Sequence, residues 1–238
     1  MKKKILITGS TQGIGKALAT AFVKEGYDVI VHGSSSMKKA ESVREEIGAW
    51  KAVTADLSKI EEIRSLRQKT GDVDALILNA SVQYKEPWDH ISEETFDMQV
   101  TVNLKSTLLL IQDYAPAMKE QGWGRIVTVG SVNQYRNHPE LPMYAATKCA
   151  VMSLVKNIAK QVASYGVTVN NIAPGAIATP RNAAIYEDDE KRKAVENSIP
   201  MGRFGQPEDC VGAVLLLCSD AGAYITGSDL VMDGGLRL

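Results

Sequence analysis

Short apolar runs alternate along this chain with longer stretches whose apolar positions recur every three to four residues. Residues 5–7, 29–31, 52–55, 75–78, 126–129 and 167–172 are apolar runs bounded by turn formers, and this predicts strands. Between them, 15–25, 37–48, 59–69, 93–120 and 144–164 carry the helical repeat. A further helix over 207–219 precedes a last strand at 228–232, closed by Gly234 and Gly235. Strand–helix–strand units cross over right-handed, so the order predicts an α/β fold: a Rossmann-type, doubly wound parallel sheet with helices on both faces. No linker or repeat divides the chain, and residues 1–238 are expected to form a single domain. The rhythm breaks over 176–205, where Pro180, Pro200, Gly202 and the acidic run Glu187 to Glu190 predict a substrate lid, with a solvated excursion as the alternative.

Chemistry enters at the first turn. Gly9, Gly13 and Gly15 lie between the first strand and the first helix, the order that makes a cradle for pyrophosphate from unpaired N–H groups. Gly9 suits a tight turn, Gly13 lets backbone approach the phosphates, and Gly15 lets the helix pack close to the sheet. Further along, Tyr144 and Lys148 are four residues apart in a helical stretch, with Ser131 thirteen residues before Tyr144. Positions i and i+4 share a helix face, which sets an ammonium beside a phenol, where it favours the ionised phenol. A serine hydroxyl nearby is placed to bond a carbonyl or alcohol oxygen.

Bulk properties narrow the field. A formal net charge of -1 with mixed signs argues against a nucleic-acid surface, and no apolar stretch is long enough to cross a membrane. Met1 to Lys4 is basic, yet the glycine turn follows Ile5–Ile7 at once, so no export signal is expected. Cys149, Cys210 and Cys218 lack metal-ligand spacing and suit a reducing, cytoplasmic setting; His32, His90 and His138 form no cluster, so no metal site is expected.

Together these blocks resemble the short-chain dehydrogenase/reductase family over essentially the whole chain. The resemblance implies a redox enzyme that uses a nicotinamide dinucleotide, with Ser131, Tyr144 and Lys148 as its catalytic centre and Asn103 completing a tetrad. It implies that Lys148 bonds the nicotinamide ribose and tunes the phenol, and that Asn103 holds a water. Cofactor contacts are implied at Gly9, Ser10, Gln12, Gly13, Ile14 and Gly15, at Asp56 and Leu57 after the third strand, and at Asn79, Ala80 and Ser81 after the fourth. Pro174, Gly175, Ile177 and Thr179 match the segment lining the nicotinamide carboxamide. One block departs: the family usually has Asn-Ala-Gly where this chain has Asn79-Ala80-Ser81.

Choice of cofactor turns on the end of the second strand, where a carboxylate would grip the ribose and repel a 2′-phosphate. The chain has His32, Gly33, Ser34, Ser35 and Ser36 there, then Lys38 and Lys39. NADP is therefore favoured over NAD, although Gln12 stands where NADP-preferring relatives often carry a basic residue. Gln134, Arg136 and His138, with Arg181 and Asn182, suit a small polar alcohol or carbonyl: a sugar, polyol or hydroxy/keto acid. The segments at 173–183 and 199–209 resemble the glucose dehydrogenase branch, and acyl-carrier-protein ketoreductases share many of these features. A 3-ketoacyl or pteridine-like reductase is one alternative; a non-catalytic dinucleotide-binding regulator is another. Tyr84 and Trp88 either cover the pocket or pack on its flank. Helices at 104–119 and 144–164 carry apolar residues on more than one face, among them Leu108 and Leu154, and the resemblance implies a homotetramer.

Overall fold

The computed structural model describes residues 2–238. Its sheet runs in the order β3-β2-β1-β4-β5-β6-β7, every neighbouring pair parallel. The strands are β1 (Lys4–Ile7), β2 (Asp28–Gly33), β3 (Lys51–Thr54), β4 (Ala75–Leu78), β5 (Gly124–Val129), β6 (Val167–Pro174) and β7 (Asp229–Met232). Helices α1 (Gly13–Lys24), α2 (Met37–Ile47), α3 (Ile60–Thr70), α4 (Glu93–Gln99), α5 (Ser106–Glu120) and α6 (Pro142–Val162) connect them. Beyond β6 come α7 (Ala183–Tyr186), α8 (Asp189–Asn197) and α9 (Val211–Leu217). The expected Rossmann-type sheet is present, with strand order reversing between β1 and β4. Ligands of such sheets bind beyond the carboxyl ends of the strands, where this reversal opens a crevice.

Strand alternation divides the core. Ile5 and Ile7 of β1 face α1, α2 and α9 through Leu18, Phe22, Val43 and Val214, whereas Leu6 faces the layer of α3, α5 and α6 through Ile63, Leu110 and Val155. Both faces of β1, β4 and β5 are buried, which is why these strands carry no polar alternation.

Two elements differ from expectation. The helix expected over 93–120 is interrupted by a π-type turn, Val100–Lys105, between α4 and α5. Its sequence keeps the helical repeat, so the extra residue per turn leaves no compositional trace; such turns cluster at functional sites. The helix expected over 207–219 begins as a tighter turn, Pro207–Cys210, before α9. The excursion expected over 176–205 has a closed neck: Ala178 N donates to Gly205 O at 2.8 Å, and Gly205 N to Ala176 O at 2.9 Å. Its distal part packs Val195 and Ile199 against Val132 and Leu236.

Candidate active site

A cleft of about 960 Å³ lies over the carboxyl ends of the strands, running from the first glycine turn and the end of β2 to Ser131 and Tyr144. At its first end, Gly9 has φ +64°, a conformation that side chains rarely adopt. A Cβ on Gly15 would lie 2.5 Å from Asn79 Nδ2, so the helix start can sit this close only as glycine. Asn79 holds the turn by donating to Thr8 O (2.9 Å) and Gly9 O (3.0 Å). Glycines therefore leave a cradle that side chains would fill, which fits a dinucleotide pyrophosphate.

The expected cofactor contacts separate into wall and brace. Gly9, Gln12, Gly13, Ile14, Gly15, Gly33, Ser34, Ser35, Asp56, Leu57, Ala80, Ser81, Pro174, Gly175, Ile177 and Thr179 all line the cleft. Ser10 does not. Its buried hydroxyl donates to Ile7 O (2.7 Å) and accepts from His32 N (2.9 Å), so it fastens the turn to β2. His32 reaches the wall, but its ring is committed too: Nδ1 accepts from Gly9 N (3.1 Å), and Nε2 lies 3.1 Å from Ala55 O. Nδ1 must be the bare nitrogen, so Nε2 carries the proton. Burial pushes its pKa down to about 4. Sequence position put His32 at the ribose, whereas its bonds make it a neutral crosspiece between β1, β2 and β3. Ser36 caps α2, accepting from Lys39 N, while Lys39 Nζ donates to Gln12 Oε1 at 2.7 Å along the same wall.

At the other end, Ser131 leaves β5 and starts a short turn, Val132–Gln134. Its Oγ accepts from Asn133 N (3.2 Å), and its own N–H donates to Gln134 Oε1 (3.3 Å). Gln134, expected to meet substrate, turns inward instead and donates to Asp229 Oδ2 at 2.6 Å. Asp229 also accepts from Asn171 and from Tyr135. Asn103, on the π-type turn, is buried: its amide donates to Val82 O (3.0 Å) and Thr147 Oγ1 (3.2 Å), and its oxygen accepts from Val82 N (2.9 Å). Asn103 thereby clamps the loop after β4.

Tyr144 and Lys148 lie one turn apart on α6, with Pro142 opening the helix. Lys148 Nζ donates to Val129 O (2.7 Å) and lies 5.5 Å from the Tyr144 ring centre. Its burial pushes the ammonium down to about 7, with Arg181 adding to the shift. Burial raises the Tyr144 phenol above its ordinary value, against lowering by the Arg181 charge and hydrogen bonds from Ser131, Arg181 and Ser81. Lys148 was expected to draw the phenol down. Instead desolvation dominates, and the leading cation acting on the phenol is Arg181, which the sequence reading placed toward the substrate rather than beside the phenol. Arg181 Nη2 donates to Ser81 O (2.7 Å) and to Ser81 Oγ (3.0 Å).

Residues 9–237 match the family model described as enoyl-(acyl carrier protein) reductase. The chain belongs to the short-chain dehydrogenase/reductase family. As a member of that family it is an NAD(P)-dependent oxidoreductase. It is 34% identical to the 3-oxoacyl-[acyl-carrier-protein] reductase FabG of Staphylococcus aureus, over 100% of this chain and 99% of that protein. It is 36% identical to the glucose 1-dehydrogenase of Gluconobacter oxydans, over 99% and 92%. Among solved structures, a 3-oxoacyl reductase from Agrobacterium tumefaciens with NADP bound superposes with a TM-score of 0.94 at 34% identity, over 98% and 93%. A gluconate 5-dehydrogenase from Burkholderia cenocepacia, in complex with NADP and tartrate, superposes at 0.91 and 30%, over 99% and 96%. The departure of this short-chain dehydrogenase/reductase from the usual Asn-Ala-Gly thus has a structural partner, because Ser81 supplies the hydroxyl that Arg181 bonds. His138 also lines the cleft, with Nδ1 accepting from Glu140 N at 3.2 Å. Trp88 does not cover the cleft: it is 79% exposed and borders a separate hollow with Phe96 and Met143.

Proposed function

We propose that this chain interconverts a secondary alcohol and its carbonyl on a small polar substrate, with NADP(H) favoured over NAD(H). The observation that carries this reading is that Tyr144 and Ser131 line the same cleft as the glycine cradle. A bound nicotinamide supplies the hydride acceptor or donor. Tyr144, protonated at neutral pH because burial raises its pKa, donates to the carbonyl oxygen in reduction and takes the proton back in oxidation. Ser131 orients that oxygen and shares the charge developing on it. Lys148, buried behind the wall with its Nζ on Val129 O and 5.5 Å from the Tyr144 ring centre, would hold the nicotinamide ribose, and Asn103 fixes the backbone of the loop after β4. The roles of the cleft-lining residues from Gly9 to Thr179 belong to the same proposal.

NADP is supported by the absence of a carboxylate at the end of β2, and by Lys39 with Ser34 and Ser35 on that wall. Asp56, nearby, is occupied with Ser58 N (3.0 Å) and Ser58 Oγ (2.7 Å). The polar, cationic substrate end supports a sugar, polyol or hydroxy acid, as does likeness to a gluconate dehydrogenase in complex with tartrate. A second reading, 3-oxoacyl reduction, is supported by likeness to FabG. We further propose that residues 176–205 act as a lid, that the chain forms one cytoplasmic domain, and that it assembles as a homotetramer.

The test is Tyr144→Phe, measured by nicotinamide absorbance on sugars, polyols, hydroxy acids and 3-oxoacyl thioesters. NADP affinity stays within a few-fold of wild type while kcat falls about a thousandfold. Turnover within tenfold of wild type would falsify the assignment, and tighter apparent affinity for NAD than for NADP would overturn the cofactor preference.

A further inference from the structure

The substrate end of the cleft is lined by Lys85, Arg136 and Arg181 and by no carboxylate; Asp56, the acid on the wall, sits at the opposite end beside Ser58. Among the described residues, none of these three cations has a carboxylate within ion-pair distance, whereas arginines elsewhere, such as Arg203 with Asp209, do. Arg181 is the one placed at the reacting atoms. Its Nη2 is fixed across the cleft mouth by Ser81 O and Oγ, 100 residues away in sequence. The guanidinium shares the cleft wall with Tyr144, and its charge lowers the phenol's pKa against the effect of burial. A guanidinium has five donors, and Ser81 engages only Nη2, so the N–H groups of Nε and Nη1 remain for a carboxylate.

We propose that Arg181, held by Ser81, anchors the carboxylate of the substrate, and that the substrate is a short 2- or 3-hydroxy acid or the corresponding oxo acid. The proposal rests on the alcohol–carbonyl reading above and narrows it. The chain length follows from geometry. Tyr144 exchanges a proton with the reacting oxygen, and the guanidinium lies beside that phenol on the same wall, near enough for its charge to act on it. An anion paired with Arg181 therefore lies one or two carbon–carbon bonds from the reacting carbon. Ser81 makes this possible: glycine at that position offers a backbone carbonyl but no hydroxyl, and the guanidinium would lose one of its two tethers. Lys85 and Arg136 favour an anion approaching the same half of the cleft.

The experiment uses protein saturated with NADP and titrates 2- and 3-hydroxybutyrate, tartrate, and the neutral amide of each by calorimetry, alongside turnover. Acids should bind at least tenfold more tightly than their amides, as expected of a charge-assisted pair. Arg181→Gln removes that advantage, Arg181→Lys keeps part of it, and Ser81→Gly weakens acid binding several-fold. NADP affinity stays within about threefold of wild type in both Arg181 variants. Equal binding of acids and amides, or an unchanged preference in Arg181→Gln, overturns the proposal. Preferred turnover of neutral polyols or 3-oxoacyl thioesters, lost in Tyr144→Phe, also overturns it and leaves the alcohol–carbonyl reading standing. Acid binding that depends on Arg181 without turnover of any compound has the opposite meaning: the anchor stands and the redox assignment fails.

Discussion

His32 is held neutral by its surroundings, and that sets how the protein responds to acid. Its folded pKa of about 4 lies below the ordinary 6.5, so between these values the unfolded chain binds more protons than the folded one. Stability therefore rises with pH through this window and is lost as pH falls from about 6.5 to about 4, in all by on the order of 3 kcal/mol. Lys148 acts in a separate range: its folded value of about 7 against 10.5 adds stability only as pH climbs above neutrality. Urea unfolding at pH 6.5 and 5.0 checks the first effect, with wild type expected to lose about 2 kcal/mol across that interval. His32→Asn should be less stable at pH 6.5, because Gly9 N and Ala55 O lose their partner, but should show a flatter dependence. An equally steep loss in the variant would refute the assignment. At this scale the sequence was least informative. The strand period placed His32 at the carboxyl end of β2, but its partners Gly9 and Ala55, just beyond β1 and β3, are 23 residues away in either direction. Arg181 was expected near substrate, but its tether to Ser81 was hidden for the same reason. A lone arginine after Thr179-Pro180 carries no periodicity, and its value comes from Ser81 across the cleft.

Among the elements, the Val132–Gln134 turn shows how a reacting group is placed by residues that never meet substrate. Gln134 accepts from Ser131 N and donates to Asp229, which also binds Asn171 of β6. Ser131 is thus tied through one carboxylate to strands β6 and β7. Gln134→Ala removes both bonds and should lower kcat about tenfold to a hundredfold with the KM for NADP unchanged. Gln134→Glu sets a second carboxylate against Asp229, and its kcat should recover partly at acid pH. A fall in NADP affinity equal to the fall in kcat would mean that the turn supports the whole cleft rather than Ser131 alone. The residues from 131 to 140 are legible as a polar loop, which is why Gln134 was expected to face substrate. Only its contact with Asp229, 95 positions later, shows that it faces inward. The π-type turn was hidden differently, since Val100–Lys105 keeps helical periodicity and the clamp made by Asn103 depends on one added residue.

The fold of the whole molecule was the most legible level, because β4 and most of β1 and β5 are apolar runs that only a sheet covered on both faces can bury. The same pattern carries a surplus. Leu110 of α5 and Val155 of α6 fill the core, yet Leu108 and Leu154 stay half-buried, on helices that lie side by side over one face of the sheet. Ala146 and Ala150, also incompletely covered, are small residues on α6 that would let a helix from another subunit approach closely. The homotetramer proposed above would cover this face by pairing α5 and α6 with their counterparts in a second chain, and would use the closing strand β7, at the sheet's edge, for a second, independent interface. Two distinct two-fold contacts generate four copies. Sedimentation should therefore give the mass of four chains. Leu108→Glu with Leu154→Glu should reduce it to half or less, since four leucines of each paired interface become carboxylates facing one another. Helical circular dichroism should be retained, because neither leucine is part of the buried core. Wild type sedimenting as one chain sinks the assembly outright. A double variant that remains at four copies places the interface on other surfaces, and the uncovered leucines would then have no role in assembly.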